Sequence, residues 1–348
     1  MGLVGDTMTC KINDKAQMIN IIFDTNASRD FVAGVGLGEL EQYAENIASR
    51  FNSKGLKLSV SPVVIQELLY HLVDSNDKDF SVSFKAIKAM MLVQEYQRKD
   101  GVHAMMSPSE LLIANEIYHM RSESRELMYS QLMTIAMVIS HGDINHIPDL
   151  HTIDGGTVKT YVDDIESGFA TQIREVCQSV EFMSKITGKS FEEELNTEAT
   201  EISIVTYFSR TTYNLLMNEG KLPDYHLFQP PFLSDDDERL RKYMWFTDLM
   251  MKGNKEIIRR YPAFLKLFKE VIRRIHQSNN QISDERLKNY VWDISLMFHV
   301  NDHTVNHEPF RFITTDKAML LASGAFRNSN NVMNYGEFHE WLMQNDEL

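Results

Sequence analysis

Four acidic side chains are the residues of this sequence best placed for chemistry, and two of them follow apolar runs. Asp24 comes directly after the run 19–23, and Asp316 follows the run 310–315. A short apolar run without alternation predicts a buried strand. Because the carboxyl ends of parallel strands form the crevice where ligands bind, carboxylates that follow such strands can meet there. Their oxygens are the ligands that Mg²⁺ or Mn²⁺ prefers, so the pattern predicts a divalent-cation site.

The other two acids lie in predicted helices. Asp293 belongs to the segment 290–298, which is apolar almost all round and should therefore be largely buried. An ionised carboxylate in such a place is costly unless it is paired or binds a metal ion. Glu67 lies near the middle of a helix predicted over 62–73, between apolar neighbours. These two acids are therefore candidates for the same site.

Each acid also has a simpler interpretation. Asp24 and Asp316 could cap the helices that follow them, and Glu67 could be a solvated helix residue. Asp293 could pair with a buried arginine such as Arg311. Taken singly, the four acids leave these alternatives open, and only their joint pattern favours a metal site.

The periodicity of apolar residues divides the chain into three parts. The first part is predicted as β-α-β-α, with strands at 18–23 and 56–60 and helices at 29–52 and 62–73. The middle part is predicted as helices at 80–99, 108–141, 157–187, 190–219 and 235–276. The last part is predicted as a helix at 284–299, a strand at 310–315, a helix at 317–323, an edge strand at 331–335 and a helix at 336–345.

Neither terminal part has enough strands to form a sheet alone. Joined, they predict an α/β fold with one parallel sheet flanked by helices. We therefore expect a discontinuous core formed by 16–75 and 284–348, interrupted by an all-α insertion over 76–283.

The segments around the four acids resemble the motifs of PIN-domain nucleases in type and order. They are Phe23-Asp24-Thr25-Asn26, the helix start Ser61 to Leu68 with Glu67, Trp292-Asp293-Ile294-Ser295-Leu296, and Ile313-Thr314-Thr315-Asp316-Lys317. The resemblance covers the two terminal parts only. The chain departs from small members of the family in the long helical stretch between the second and third acids.

This resemblance implies a function and a set of site residues. Asp24, Glu67, Asp293 and Asp316 would bind one or two Mg²⁺ or Mn²⁺ ions, and Asn26 and Thr314 would support them. The implied activity is that of an endoribonuclease that hydrolyses RNA with metal-activated water, and toxin-like or defence roles are common among such proteins. The alternatives are a nuclease for single-stranded or structured DNA, and a catalytically silent PIN scaffold that mediates protein assembly.

Histidines near the third acid offer a competing metal site. His299, His303 and His307 recur every fourth residue, with Asp302 between them. Three imidazoles on one helical face could bind zinc, but the glutamate that follows the first histidine in zinc peptidases is missing. Plain surface histidines are the simpler interpretation. Asp302 could also replace Asp293 in the carboxylate site or join it there.

A basic stretch at 252–274 is the candidate nucleic-acid surface. Past Pro262, Lys266, Lys269, Arg273 and Arg274 lie on a predicted amphipathic helix. They could form a phosphate track that leads toward the acids, or simply the solvated face of that helix.

Composition limits the classes of partner. The net charge of −14 argues against coating nucleic acid by bulk electrostatics, although it allows local binding. No apolar run approaches the length of a membrane span, so no membrane partner is expected. The two cysteines, Cys10 and Cys177, are far apart in the chain, which is consistent with a reducing cytosol. The insertion could serve homo-oligomerisation or bind a regulatory protein.

Overall fold

A parallel four-stranded sheet lies at the centre of the computed structural model, as the sequence predicts. The structure describes residues 18–98, 105–148, 150, 158–222, 237–279, 281–300, 309–324 and 331–344. The strands are β1 Ile19–Phe23, β2 Leu56–Leu58, β3 Phe310–Thr314 and β4 Val332–Asn334. They lie in the order β2-β1-β3-β4, and all three pairings are parallel. The prediction of an α/β fold with a parallel sheet flanked by helices is confirmed, and β4 is the edge strand that was expected.

The two central strands come from opposite ends of the chain. Phe23 of β1 lies opposite Ile313 of β3, and the backbone N–H of Asp24 donates to the Ile313 carbonyl at 3.0 Å. The chain leaves both strands at the same edge of the sheet. This register alone places Asp24 beside the residues that follow Ile313.

Helices surround the sheet and fill the long middle part of the chain. The described helices of the first half are α1 Thr25–Asp30, α2 Leu40–Ser53, α3 Pro62–Tyr70, α4 Phe80–Gln97, α5 Ser109–Leu112, α6 Glu123–His141 and α7 Val158–Thr187. Those of the second half are α8 Phe191–Leu195, α9 Glu198–Asn218, α10 Asp237–Arg260, α11 Pro262–Gln277, α12 Asp284–Lys288, α13 Tyr290–Leu296, α14 Lys317–Ser323 and α15 Tyr335–Met343. No described helix combines the length and the hydropathy needed to cross a membrane.

Several predicted helices are divided in the structure, each for a local reason. The helix expected at 29–52 is replaced by α1 and α2, because Gly34 has a φ of +78°, which no right-handed helix allows. The helix expected at 108–141 is interrupted after a π turn, Ile113–Ile117, where His119 has a φ of +54°. Pro262 separates α10 from α11, since proline removes a helix hydrogen bond.

The open side of β2 is covered by α4. The side-chain amides of Gln94 and Gln97 donate to the carbonyls of Leu58 and Leu56, at 3.0 and 2.9 Å. Gln97 also accepts from the Leu58 N–H at 2.9 Å, so the two glutamines serve as a substitute strand for an otherwise unpaired edge. This helix lies in the predicted insertion, 76–283, whose independence as a domain stays a prediction.

Candidate active site at the carboxyl edge of the sheet

Asp24 is fixed at the end of β1 and is 2% exposed. Its Oδ1 accepts from the Ala27 N–H at 2.6 Å, which makes it the N-cap of α1. Its Oδ2 accepts from the hydroxyl of Thr314. Burial raises the pKa of Asp24 to about 6, and the negative charge of Asp316 adds to that rise, while both hydrogen bonds oppose it. Asp24 is therefore a helix cap, as the simpler interpretation states, and also a buried acid that is costly to ionise.

Asp316 is the N-cap of α14. Its Oδ1 accepts from the N–H groups of Ala318 and Met319 at 2.6 and 2.9 Å. The backbone N–H of Asp316 donates to the Thr314 hydroxyl oxygen at 2.9 Å. Thr314, itself fully buried, thus links the two strand-end acids through one hydroxyl. Thr314 thus contacts both acids, and its supporting role in a metal site stays a prediction.

Glu67 projects from α3 and is partly buried. Its Oε2 accepts from the hydroxyl of Thr25. Burial raises the pKa of Glu67 to about 7; the Thr25 hydrogen bond and the charge of Arg29 oppose the rise, and the charge of Asp24 adds to it. The nearest ion pair of Arg29 is with Asp79, at 3.8 Å. Thr25 was missed by the sequence analysis, although its position next to Asp24 could have suggested it.

Asn26, which was expected to support the acids, is exposed. No hydrogen bond joins its side chain to an acid within the described parts of the chain. No contact in the described structure supports the role predicted for Asn26, because α1 starts at Thr25 and directs the next side chain outward.

Asp293 lies on α13 and is partly buried. Within the described residues its carboxylate has neither a hydrogen bond nor an ion pair. Burial raises its pKa well above the ordinary value, and the charges of Asp316, Glu67 and Asp24 raise it further. The alternative of a pair with Arg311 is wrong, because that guanidinium lies over the ring of Trp341 at 5.4 Å.

The four acids therefore share one electrostatic environment. The charge of Asp293 is coupled to those of the other three acids, and Asp24 is coupled to Asp316 and Glu67. No lysine or arginine forms an ion pair with any of them in the described structure. The charge of Arg29 offsets part of this repulsion at Glu67, and a bound cation would relieve the rest.

The spacing of the carboxylates limits how a cation could be held. Among the described residues, no three of the four acids offer oxygens that all lie within 4.8 Å of one another. A cage of protein oxygens alone, of the kind that suits Ca²⁺, does not fit. Mg²⁺ keeps several of its waters and is bound through one or two carboxylates. Carboxylate oxygens are ligands of the type that Mg²⁺ and Mn²⁺ take, and the metal itself stays a prediction.

A second group of possible ligands was not predicted from the sequence. The donor atoms of His71, Asp77 and Asp79 lie within 4.8 Å of one another. The Nδ1 of His71 is 3.0 Å from both carboxylate oxygens of Asp77, and the Arg29 guanidinium pairs with Asp79. These groups satisfy one another, and the arginine would repel a cation.

The predicted nucleic-acid residues on α11 are held by ion pairs and hydrogen bonds. Lys269 is 7% exposed and contacts Glu201 at 2.6 Å. Three contacts between 2.6 and 3.0 Å join Arg273 to Glu192. Two other residues complete the set: Arg274 binds Glu270 and the Tyr290 hydroxyl, and Lys266 donates to the Leu321 carbonyl at 2.9 Å. The phosphate track stays a prediction without support from these contacts.

The histidine alternative falls mostly beyond the described part of the chain. Asp302, His303 and His307 lie outside the described residues, so neither the zinc site nor the substitution of Asp302 for Asp293 is tested. His299 ends a 3₁₀ turn, Met297–His299.

Comparisons with protein-family models, curated proteins and solved structures gave no match. The geometry of the site is therefore what supports a function.

Proposed function

We propose that this chain has a PIN-like core and is an Mg²⁺- or Mn²⁺-dependent nuclease, with RNA as the favoured substrate. The observation that carries the proposal is that Asp24 and Asp316 follow neighbouring parallel strands, and that the charges of these two acids, Glu67 and Asp293 act on one another with no ion pair to a lysine or arginine among the described residues. Three of these carboxyls have raised pKa values because of burial and of one another's charge. Perturbed acids that cluster in this way are typical of functional sites.

The chain's own residues would perform distinct tasks. Asp24 and Asp316 have their positions fixed by strand ends and helix N-termini, so their carboxylates need little reorganisation to hold a cation. Glu67 and Asp293 add negative charge from two helices and can orient water. A cation bound here would supply an activated water and neutralise charge on the scissile phosphate.

The choice of RNA over DNA follows from the resemblance to PIN-domain nucleases. No described contact distinguishes the two polymers. Both therefore belong in the test, and DNA cleavage by the same four acids is the alternative activity.

The proposal is tested by cleavage of labelled RNA and DNA, single-stranded and duplex, with Mg²⁺, with Mn²⁺ and with EDTA. We expect metal-dependent hydrolysis by the wild type and a loss of at least about 100-fold for Asp24→Asn and Asp316→Asn, since each removes a ligand charge. Asparagine is also a good N-cap, so both variants should fold. Asp284→Asn is the matched control, because that exposed acid lies outside the site and pairs with Arg174.

Two results would contradict the proposal. If both site variants cleave as fast as the wild type, these acids are not the catalytic site. If the wild type cleaves neither polymer with either metal, the silent scaffold is the better interpretation.

A further inference from the structure

A cavity of about 430 Å³ lies between α3, α5, α6, α7, α9 and α13. Its volume is within the range of roughly 300 to 1,000 Å³ that is usual for sites of small ligands. The proposed cleavage reaction assigns no role to it.

Two helices connect this cavity to the acids. Val63 lines the cavity and lies four residues before Glu67, so both point to the same side of α3. Trp292 lines it too and directly precedes Asp293. The indole N–H of Trp292 donates to Glu166 at 2.8 Å, and the charge of Glu166 acts on Glu67. A ligand in the cavity would therefore contact the two helices that carry Glu67 and Asp293.

Aromatic rings form much of the cavity wall. They belong to Tyr129, Tyr161, Phe169, Tyr207, Phe208 and Trp292. Their positions are fixed by neighbours: the ring of Phe208 stacks on that of Phe298 with centroids 5.1 Å apart, and Arg125 donates to the Tyr161 hydroxyl. Rings held in this way offer planar surfaces on which another ring can stack.

One buried hydroxyl in the wall has no hydrogen-bond partner. Thr212 is 1% exposed and lines the cavity, and its Oγ1 bonds to no described residue. Leaving a buried hydroxyl unsatisfied costs about 1–3 kcal/mol. A polar group of a ligand in the cavity would remove that cost.

The described wall carries carboxylates and no cation of its own. Its carboxylates are Glu110, which lies 4.0 Å from Arg125 behind the wall, and Asp164, and no lysine or arginine is among the described residues that line it. A phosphate would gain no direct ion pair from these lining residues. A flat, uncharged ring with N–H donors and acceptors would fit both the aromatic surface and the polar groups.

We propose that this cavity receives one unpaired nucleobase of the nucleic acid that the four acids cleave. The proposal rests on the proposed nuclease function and defines its substrate as single-stranded segments. A base within a duplex would first have to leave its stack, at a cost of a few kcal/mol. Stacking of a base on aromatic side chains contributes about 1–3 kcal/mol.

The test uses free nucleosides in EDTA, so that it needs neither a phosphate nor a metal ion. Adenosine, cytidine, guanosine and uridine are titrated by ligand-observed NMR and by quenching of tryptophan fluorescence. We expect saturable binding of at least one nucleoside to the wild type. Inorganic phosphate, titrated in the same way, should not compete.

Gly168→Leu is designed to fill the cavity. Gly168 lines it from α7, and a Cβ at that position would meet no atom within 4 Å, so the larger side chain should be accommodated. Nucleoside binding should weaken at least tenfold. Gly38→Leu is the matched control, since a Cβ there also meets no atom and the position lies outside the cavity; it should bind as the wild type does.

Thr212→Val tests the unpaired hydroxyl without changing the volume of the side chain. Binding should weaken about threefold to tenfold, while the thermal stability stays the same or rises because an unsatisfied polar group is removed. A hydroxyl with only a structural role would not give weaker nucleoside binding together with unchanged or higher thermal stability. This variant also covers the case in which Gly168→Leu fails to fold.

The outcomes separate this proposal from the nuclease itself. Metal-dependent cleavage by the wild type, without saturable binding of any nucleoside, overturns the base site and leaves the nuclease standing. Nucleoside binding that Gly168→Leu does not weaken also overturns it. Binding that both cavity variants weaken supports the base site; if no polymer is cleaved, the base site stands and only its link to cleavage by the four acids fails.

Discussion

Two charged regions of this molecule lie in opposite electrostatic conditions. At the carboxyl edge of the sheet, Asp24 and Asp293 have no basic partner in the described structure, and their charges repel one another. On α11, two basic residues are matched by acids: Lys269 binds Glu201, and Arg273 binds Glu192. The acids at the sheet edge carry unbalanced charge at a fixed place, whereas these two cations are already neutralised.

This difference separates charge that is available for a ligand from charge that maintains the fold. An unpaired, partly buried carboxylate costs folding free energy. Such a cost is typical of functional sites, where a ligand compensates it. A buried ion pair such as Lys269 with Glu201 has no charge left to offer a phosphate. The acids should therefore respond to metal and pH, and the cations of α11 should respond mainly in stability.

The largest effect on stability is expected from breaking the buried pair on α11. Lys269→Met should lower the free energy of unfolding by about 3 kcal/mol, because it leaves Glu201 without its partner. Lys266→Met, the control, removes an exposed lysine of the same helix and should cost less than about 0.5 kcal/mol. Urea denaturation measures both. Equal losses for the two variants would show that the pair is not structural.

The next effect is a pH dependence of stability in EDTA. The folded pKa of Asp24, about 6, lies above its ordinary value of 3.8, so the folded state binds more protons between these values. The stabilisation that Asp24 gains by binding this proton in the folded state is fully present below about pH 4. It is lost as the pH rises through 6. Relative to Asp24→Asn, the wild type should lose about 2 kcal/mol between roughly pH 4.5 and 8. If the free energies of unfolding of the wild type and of Asp24→Asn change in parallel with pH, then ionisation of Asp24 does not destabilise the folded state.

A smaller effect is expected from neutralising the third acid. Asp293→Asn should raise the stability in EDTA by about 1 kcal/mol, because it removes a charge that repels its neighbours. The same change should reduce the rise in melting temperature that Mn²⁺ gives the wild type. Thermal unfolding with and without Mn²⁺ measures both. A variant that is less stable in EDTA and equally stabilised by Mn²⁺ would remove Asp293 from the site.

The smallest effect is expected on nucleic-acid binding. Replacing Arg273 and Arg274 with glutamine should weaken RNA binding less than about twofold, since both guanidiniums already bind acids of this chain. A phosphate track, as the sequence predicts, would instead lose affinity uniformly, and the salt dependence would fall by about one unit per contact. Binding measured at several salt concentrations decides between the two.

Much of the architecture could be predicted from local patterns. The apolar runs gave strands that the structure confirms as β1 and β3, and the helix expected at 317–323 has those bounds as α14. Local patterns did not show where a helical period breaks. Gly34 and His119 interrupt helices through single backbone angles, which periodicity does not report.

The site was predicted only in part. Asp24 and Asp316 could be placed together, because any parallel pairing of their strands brings both to one edge. The hydrogen bond from Thr25 to Glu67 and the cavity at Thr212 could not be predicted, because they depend on how helices pack on one another. The pairing of α11 with acids of α8 and α9 could not be predicted either, since Glu201 and Glu192 lie 68 and 81 residues from their partners in the chain.

By itself the sequence determined which segments are strands and which acids follow them, since burial and periodicity are properties of neighbouring residues. Only the tertiary structure decided which charges stay unbalanced, because a counter-ion is chosen by proximity in space. The same chain thus has a cluster of mutually repelling carboxylates at the sheet edge and ion-paired basic residues on α11.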